Sequence, residues 1–285
     1  MKLQKIGVLG AGTMGAGIAQ VAAQAGFAVL LVDVDEGLVE RGLKVIAKSL
    51  EKAIERGKIP AEVKESTLGK INCGVGLNIL QDVDVVIEAI VENIDIKKKV
   101  YAELDRICPA HTILASNTSS LSITELGAVT KRPEKVVGMH FFNPVPVMRL
   151  VEVIPGRVSS GESLEIITGI SRQMDKVPIN TKESPGFIVN RILVPMINEA
   201  VMAYQEGIGT AEEIDTAMKL GANMQMGPLA LADLVGIDVV LAVMEVFYKE
   251  FSDSKYRPAL LLKQMLRAGH LGVKSGKGFY DYSNR

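Results

Sequence analysis

Cysteine, histidine and surplus charge are all scarce in this 285-residue chain. Its two cysteines, Cys73 and Cys108, stand far apart in apolar surroundings. That excludes a disulfide framework and any Cys-based metal spacing, and predicts reduced core thiols in a cytoplasmic protein. No other residue pattern suggests a metal ligand set. The 32 Lys and Arg residues nearly balance the 33 Asp and Glu, for a formal net charge of −1. Such a balance offers no general affinity for nucleic acid or for a membrane surface. No apolar run is long enough to cross a bilayer, and the first strand pattern begins too early to leave room for a leader peptide. Internal repeats and low-complexity tracts are also missing. What is present is apolar: 48% hydrophobic residues against 23% charged. This suffices for a sizeable core, and the length suits one large or two medium domains.

The most informative stretch is Lys5-Ile6-Gly7-Val8-Leu9-Gly10-Ala11-Gly12-Thr13-Met14-Gly15. A short apolar run, as in a strand buried on both faces, leads into G-x-G-x-x-G. Gly10 suits the tight turn, Gly12 lets backbone approach a pyrophosphate, and Gly15 lets the following helix pack close to the strand. That helix begins near Thr13 and points its N–H groups at the phosphates. A second apolar run, Ala28 to Val32, ends in Asp33, where a carboxylate can hold a ribose hydroxyl. Gly10, Gly12, Thr13, Met14, Gly15 and Asp33 are therefore the expected cofactor contacts. The negative charge of Asp33 repels a 2′-phosphate, which favours NAD, although neighbouring residues can relax that choice and leave NADP open.

A long helix is expected from Glu36 to Arg56, with Ser49, Lys52 and Arg56 on one face. That face is either simply solvated or a grip on an anionic, adenosine-bearing substrate. Asp84 to Ile90 reads as a buried parallel strand, with Glu92, Asn93 and Lys97 beyond its carboxyl end, before a helix from about Ile96. Ligands of open α/β sheets bind at such ends, so Glu92 and Lys97 are expected to line the cleft. A strand over 112–115 delivers the polar run Ser116-Asn117-Thr118-Ser119-Ser120. A strand over 135–139 delivers His140, and the next, over 148–154, carries Glu152. From residue 184 onward only helical periodicity remains, over about 187–206, 211–220, 229–251 and 258–267. The tail 272–280 reads as an ordered glycine-rich loop. The expected fold is thus α/β: a Rossmann-like doubly wound sheet domain over 1–183, then an all-α C-terminal domain over 184–285.

A nicotinamide cofactor implies hydride transfer, and oxidation of an alcohol carbon needs a base for the hydroxyl proton. Of the three histidines, only His140 stands at a strand's carboxyl end in the cofactor domain. His111 lies at an amino end and His270 in the helical tail. Glu152 follows His140 past a proline-containing turn. A carboxylate on one ring nitrogen would fix the tautomer and support the imidazolium. Strand alternation alone would instead put Glu152 on a polar face, between Val151 and Val153.

The block His140-Phe141-Phe142-Asn143-Pro144-Val145-Pro146 resembles the L-3-hydroxyacyl-CoA dehydrogenases. So do residues 116–120, Val151-Glu152-Val153, residues 184–191 and Gly227-Pro228. The resemblance runs over essentially the whole chain, in the stand-alone form rather than the one fused to an enoyl-CoA hydratase. It implies a His140–Glu152 dyad, with Ser119 and Asn190 hydrogen-bonding the substrate's reacting oxygens. It further implies NAD contacts from Glu92, Lys97, Asn117, Ser119, Asn143 and Lys274, a CoA contact from Ser49, and a phosphate contact from Arg56, where the family pattern often has lysine. A homodimer through the helical domain is implied as well.

The reaction expected on these grounds is reversible NAD-dependent oxidation of a short (S)-3-hydroxyacyl-CoA, such as 3-hydroxybutyryl-CoA. Two alternatives stand beside it. One is a gulonate-type sugar-acid 3-dehydrogenase, against which the basic 49–56 face argues weakly. The other is a non-catalytic, crystallin-like NAD-binding protein, against which the intact Ser119, His140, Glu152 and Asn190 argue.

Overall fold

A computed structural model describes residues 3–283. The chain divides into two compact units, Met1–Ser184 and Pro185–Arg285.

The first unit is an eight-stranded sheet: β1 (Lys5–Leu9), β2 (Ala28–Asp33), β3 (Ile71–Val75), β4 (Val85–Glu88), β5 (Ile113–Ser116), β6 (Val136–Phe141), β7 (Leu150–Pro155) and β8 (Val177–Asn180). Their spatial order is β3-β2-β1-β4-β5-β6-β7-β8. The order reverses between β1 and β4, as expected of a doubly wound sheet, and this reversal is where such folds bind ligands. The interleaved helices are α1 (Thr13–Gln24), α2 (Glu36–Glu55), α3 (Glu62–Leu68), α4 (Ile94–Ile107), α5 (Ile123–Ala128) and α6 (Gly161–Gln173). Every residue of β4, β5 and β6 is buried, which is why these strands read as continuous apolar runs rather than alternating ones. Ile6, Val8, Ile18, Leu31, Ile87, Val137, Met139 and Val153 belong to the core.

Two strands, β7 and β8, run opposite to the other six. β6 and β7 are antiparallel, because residues 142–149 are too few for a crossover helix. The register puts His140 directly opposite Glu152. β6 also runs through His140 to Phe141, so His140 is part of the strand and does not follow it. Side chains fix the starts of α2 and α4. Asp35 accepts from Leu38 N–H at the head of α2, and Asn93 accepts from Asp95 and Ile96 N–H at the head of α4. The Asn93 cap starts α4 at Ile94, two residues before the expected Ile96. Cys108 is buried, and burial pushes its thiol up to about 11. Cys73 is exposed, which corrects its expected place in the core: on the edge strand β3 its side chain faces outward.

The second unit is helical: α7 (Val189–Gln205), α8 (Ala211–Gly221), α9 (Pro228–Val235), α10 (Ile237–Phe251) and α11 (Leu260–Arg267). The single helix expected over 229–251 is in fact α9 and α10. Gly236 breaks it with φ +105°, a conformation that glycine alone adopts without strain. A Cβ there would also lie 2.9 Å from Asp238 Oδ1 and 3.1 Å from Lys274 Nζ. Ile197, Leu229, Ile237, Met244 and Phe247 centre this unit's core. The C-terminal tail is ordered, as expected. Buried Asp233 accepts from Phe279 N–H at 2.9 Å and Tyr280 N–H at 3.0 Å, while Gly278 leaves room for that carboxylate. Among the described residues no helix is long and apolar enough to cross a membrane, and no group of His, Cys, Asp and Glu could hold a metal ion.

Candidate active site

The glycine loop shows three different reasons for glycine. Gly10 has φ +104°, and a Cβ there would meet Ala89 O at 2.5 Å. A Cβ on Gly15 would lie 1.7 Å from Gly10 O, so only glycine lets α1 pack this close. A Cβ on Gly12 would meet nothing within 4 Å: the space over it is open to a ligand. Gly12 is also the N-cap of α1, and no side chain caps that helix. Its first-turn N–H groups, from Thr13 onward through Met14 and Gly15, and the positive end of its dipole are thus presented together. Asp33 ends β2 beside them. Its Oδ2 accepts from Ala11 N–H at 2.7 Å and its Oδ1 from Val34 N–H at 2.7 Å. An uncapped helix start, an open glycine and an adjacent carboxylate fit the pyrophosphate and ribose of NAD.

At the ends of β4 and β5 lies a connected polar cluster. Glu92 Oε1 accepts from Thr118 Oγ1 at 2.6 Å, from Ser119 N–H at 2.9 Å and from Ser119 Oγ at 3.2 Å. Lys97 Nζ stands 2.5 Å from Glu88 Oε1 and 3.4 Å from Glu92 Oε2. Lys97 is only 1% exposed; the sequence pattern alone suggested an open charge on the cleft wall. Ser116 is fully buried, with its hydroxyl on Glu88. Asn117 reaches sideways: its Oδ1 accepts from Phe141 N–H at 2.8 Å, bracing the strand that carries His140.

The dyad is formed. His140 Nδ1 lies 2.8 Å from Glu152 Oε2. Glu152 is 1% exposed and His140 5%, so the polar-face expectation from alternation fails: β7 lies inside the sheet between β6 and β8, with α5 and α6 packed against it, and Val151 to Ile154 are all buried. An ionised carboxylate at Glu152 accepts from Nδ1–H. The Phe142 ring packs against the imidazole at 4.5 Å between centroids.

Residues 142–149 lead from the dyad to a groove of about 600 Å³. Lys48, Ser49, Lys52 and Arg56 line one side, and Asn143 with the Pro144–Val147 segment lines the other. The expected 49–56 face therefore does border a cavity, and it shares that cavity with Asn143 and Thr13. Lys176 holds the segment in place, donating to Val145 O at 2.5 Å and Met148 O at 2.9 Å. Asn190 and Lys274 belong to the second unit. Asn190 is the second residue of α7, and Lys274 pairs with Asp238 at 2.5 Å.

Sequence reasoning missed Glu88, Lys176 and Asp238. Glu88 did leave a signal: an acid closing the apolar run Val85-Val86-Ile87 must find a partner when buried. Lys176 and Asp238 left none, because their partners are distant in sequence.

Known proteins similar to this chain match it along nearly its whole length. The family description "3-hydroxyacyl-CoA dehydrogenase, NAD binding domain" matches residues 5–184. "3-hydroxyacyl-CoA dehydrogenase, C-terminal domain" matches residues 186–282. A 3-hydroxybutyryl-CoA dehydrogenase of Clostridioides difficile is 51% identical over 98% of this chain and 99% of its own. A probable 3-hydroxybutyryl-CoA dehydrogenase of Bacillus subtilis is 50% identical over 100% and 99%. The crystal structure of an (S)-3-hydroxybutyryl-CoA dehydrogenase from Ralstonia eutropha superposes with a TM-score of 0.95 at 49% identity, covering 99% of this chain and all of that one. With both family descriptions matched end to end, and relatives half identical throughout, the chain belongs to the 3-hydroxyacyl-CoA dehydrogenase family of NAD-dependent oxidoreductases.

Proposed function

We propose that the chain interconverts (S)-3-hydroxybutyryl-CoA and acetoacetyl-CoA. The observation that carries this reading is the buried His140–Glu152 pair, 2.8 Å apart, in a Rossmann-like unit with an open glycine loop. Relatives half identical to this chain bear the name of that reaction. Bound NAD supplies the acceptor for the hydride that leaves C3. In the oxidising direction, His140 Nε2 takes the proton of the C3 hydroxyl. Glu152 holds the Nδ1 tautomer and supports the imidazolium that forms. Such a positioned base contributes roughly 10²–10⁴-fold. Ser119 and Asn190 orient the substrate's reacting oxygens. Gly10, Gly12, Thr13, Met14 and Gly15 would hold the pyrophosphate of NAD and Asp33 its ribose, with Glu92, Lys97, Asn117, Ser119, Asn143 and Lys274 as its further contacts.

The basic groove favours an acyl-CoA over a sugar acid. Lys48, Lys52 and Arg56 line it, more positive charge than a single sugar carboxylate needs and a match for the phosphates of CoA. The same reading includes a cytoplasmic homodimer built through the second unit, whose helices carry the exposed apolar side chains Ile192, Leu234, Val239 and Leu260.

NADH oxidation with acetoacetyl-CoA, run beside His140→Ala, tests the proposal. Rapid turnover that is lost in the variant is the expected result. Bound NADH without turnover would discard the acyl-CoA reading in favour of a sugar acid. Failure with sugar acids as well would leave a non-catalytic, crystallin-like role.

A further inference from the structure

Glu88 has no place in the chemistry proposed above, yet it is the most completely enclosed carboxylate of the first unit. It ends β4, between Leu9 of β1 and Ser116 of β5, at the point where the strand order reverses. Its exposure is 0%. A buried carboxylate is tolerated only when hydrogen-bonded and paired, and Glu88 has a full set of partners. Its Oε1 accepts from Ile90 N–H at 2.8 Å and from Lys97 Nζ at 2.5 Å, and its Oε2 accepts from Ser116 Oγ at 2.8 Å. Buried Tyr101 belongs to the same cluster; burial, and then the Glu88 charge, push its phenol well above the ordinary tyrosine value.

The arrangement is directional. Lys97 is buried beside two carboxylates, Glu88 at 2.5 Å and Glu92 at 3.4 Å. Glu88 takes the close contact and neutralises the ammonium. Glu92 is thereby left with its charge for the loop after β5, where its Oε1 holds Thr118 Oγ1, Ser119 N–H and Ser119 Oγ. Without the Glu88 charge, Lys97 would have Glu92 as its sole counter-ion. A buried ammonium pulls strongly on its one remaining partner, and Glu92 would move inward, off Ser119.

We infer that Glu88 is a positioning residue: by taking up Lys97, its buried carboxylate leaves Glu92 free to hold the Ser119 loop in place. The inference rests on the proposed role of Ser119 for its effect on rate, but not for its effect on the loop.

Glu88→Gln keeps the shape and removes the charge. Two measurements read the result: steady-state reduction of acetoacetyl-CoA, and amide hydrogen exchange over residues 116–122 with β1 and β2 as internal controls. The expected result is faster exchange at Thr118 and Ser119 with unchanged controls. In parallel, kcat falls about 10- to 100-fold, the scale of a misplaced contact, while KM for acetoacetyl-CoA shifts less than about threefold because its CoA tail binds elsewhere. A purely structural carboxylate would not split kcat from KM. Parent-like protection at residues 118–119, or an unchanged kcat, overturns the inference. If Glu88→Gln does not fold, the paired variant Glu88→Leu with Lys97→Met removes both buried charges together, a replacement that is often tolerated. There, exchange alone decides: with no ammonium left to draw Glu92 inward, parent-like protection at 118–119 supports the inference and a loosened segment overturns it. An inactive parent enzyme would count against the proposed reaction and leave the exchange result standing.

Discussion

Asp33 Oδ2 accepts a hydrogen bond from Ala11 N–H at 2.7 Å. The carboxylate expected to choose NAD over NADP thus also braces the loop proposed to receive the pyrophosphate. On that proposal, cofactor choice and cofactor binding are joined in one side chain. Asp33→Ala is expected to weaken NADH binding at least about 10-fold, the loss of a charge-assisted bond, and to gain no useful NADPH binding. Fluorescence titration with both nucleotides measures this. Binding of NADPH by the variant as tight as that of NADH by the parent would show that Asp33 acts by charge alone.

Glu152→Gln keeps the size of the side chain and removes the charge facing His140 Nδ1. An amide can present its N–H to that nitrogen and favour the wrong tautomer. We expect kcat to fall roughly 10²–10⁴-fold, with NADH affinity within about twofold of the parent. Unchanged kcat would remove Glu152 from the mechanism.

The glycine loop predicts a contrast. Gly12→Ala meets no protein atom within 4 Å, so its melting temperature should stay close to the parent's while NADH binding is lost to the added methyl. Gly15→Ala would put Cβ 1.7 Å from Gly10 O. Relieving that clash requires a backbone shift costing about 1–3 kcal/mol, seen as a melting temperature several degrees lower. Equal thermal stability of the two variants would contradict the packing described here.

Lys176 offers a pH test. Burial holds its ammonium below the ordinary lysine value of 10.5. In the interval below 10.5 the unfolded chain therefore binds more protons than the folded one, and stability contributed at this site rises with pH. Lys176→Met has no such proton. The difference in stability, parent minus variant, should move in the parent's favour as pH rises toward 10.5. Urea midpoints across that range provide the measurement, and a flat or falling difference would refute the assignment.

The groove makes a kinetic prediction. Lys52→Ala combined with Arg56→Ala should raise KM for acetoacetyl-CoA roughly tenfold with kcat nearly unchanged, since the contacts are distant from the reacting carbon. The effect should shrink at high salt, because the lost attraction is between exposed charges. A drop in kcat at saturating substrate would place these residues nearer the chemistry than the groove does.

Local sequence determined the strand, glycine turn and helix at residues 5–24, the acid that ends β2, the apolar central strands and the helical second unit. Each follows from short-range steric and hydrophobic patterns that need no distant partner. The His140–Glu152 pairing was suggested by family resemblance and by the proline-containing turn that joins their strands; the antiparallel register then put the two residues face to face. Tertiary structure alone decided the rest. Lys97 and Glu92 look alike in sequence, as charges past a strand end, yet one is buried and the other partly open, because buried Glu88 captures the first. Gly236 sits within an unbroken apolar periodicity and still breaks the helix, since the space around it is taken by Asp238 and Lys274. Lys176 carries no local pattern at all, and its role follows from two carbonyls that only the fold brings to it. Periodicity reports which face of an element is apolar, while a buried charge is placed by the one partner that can compensate its desolvation, and that partner is chosen by the whole chain.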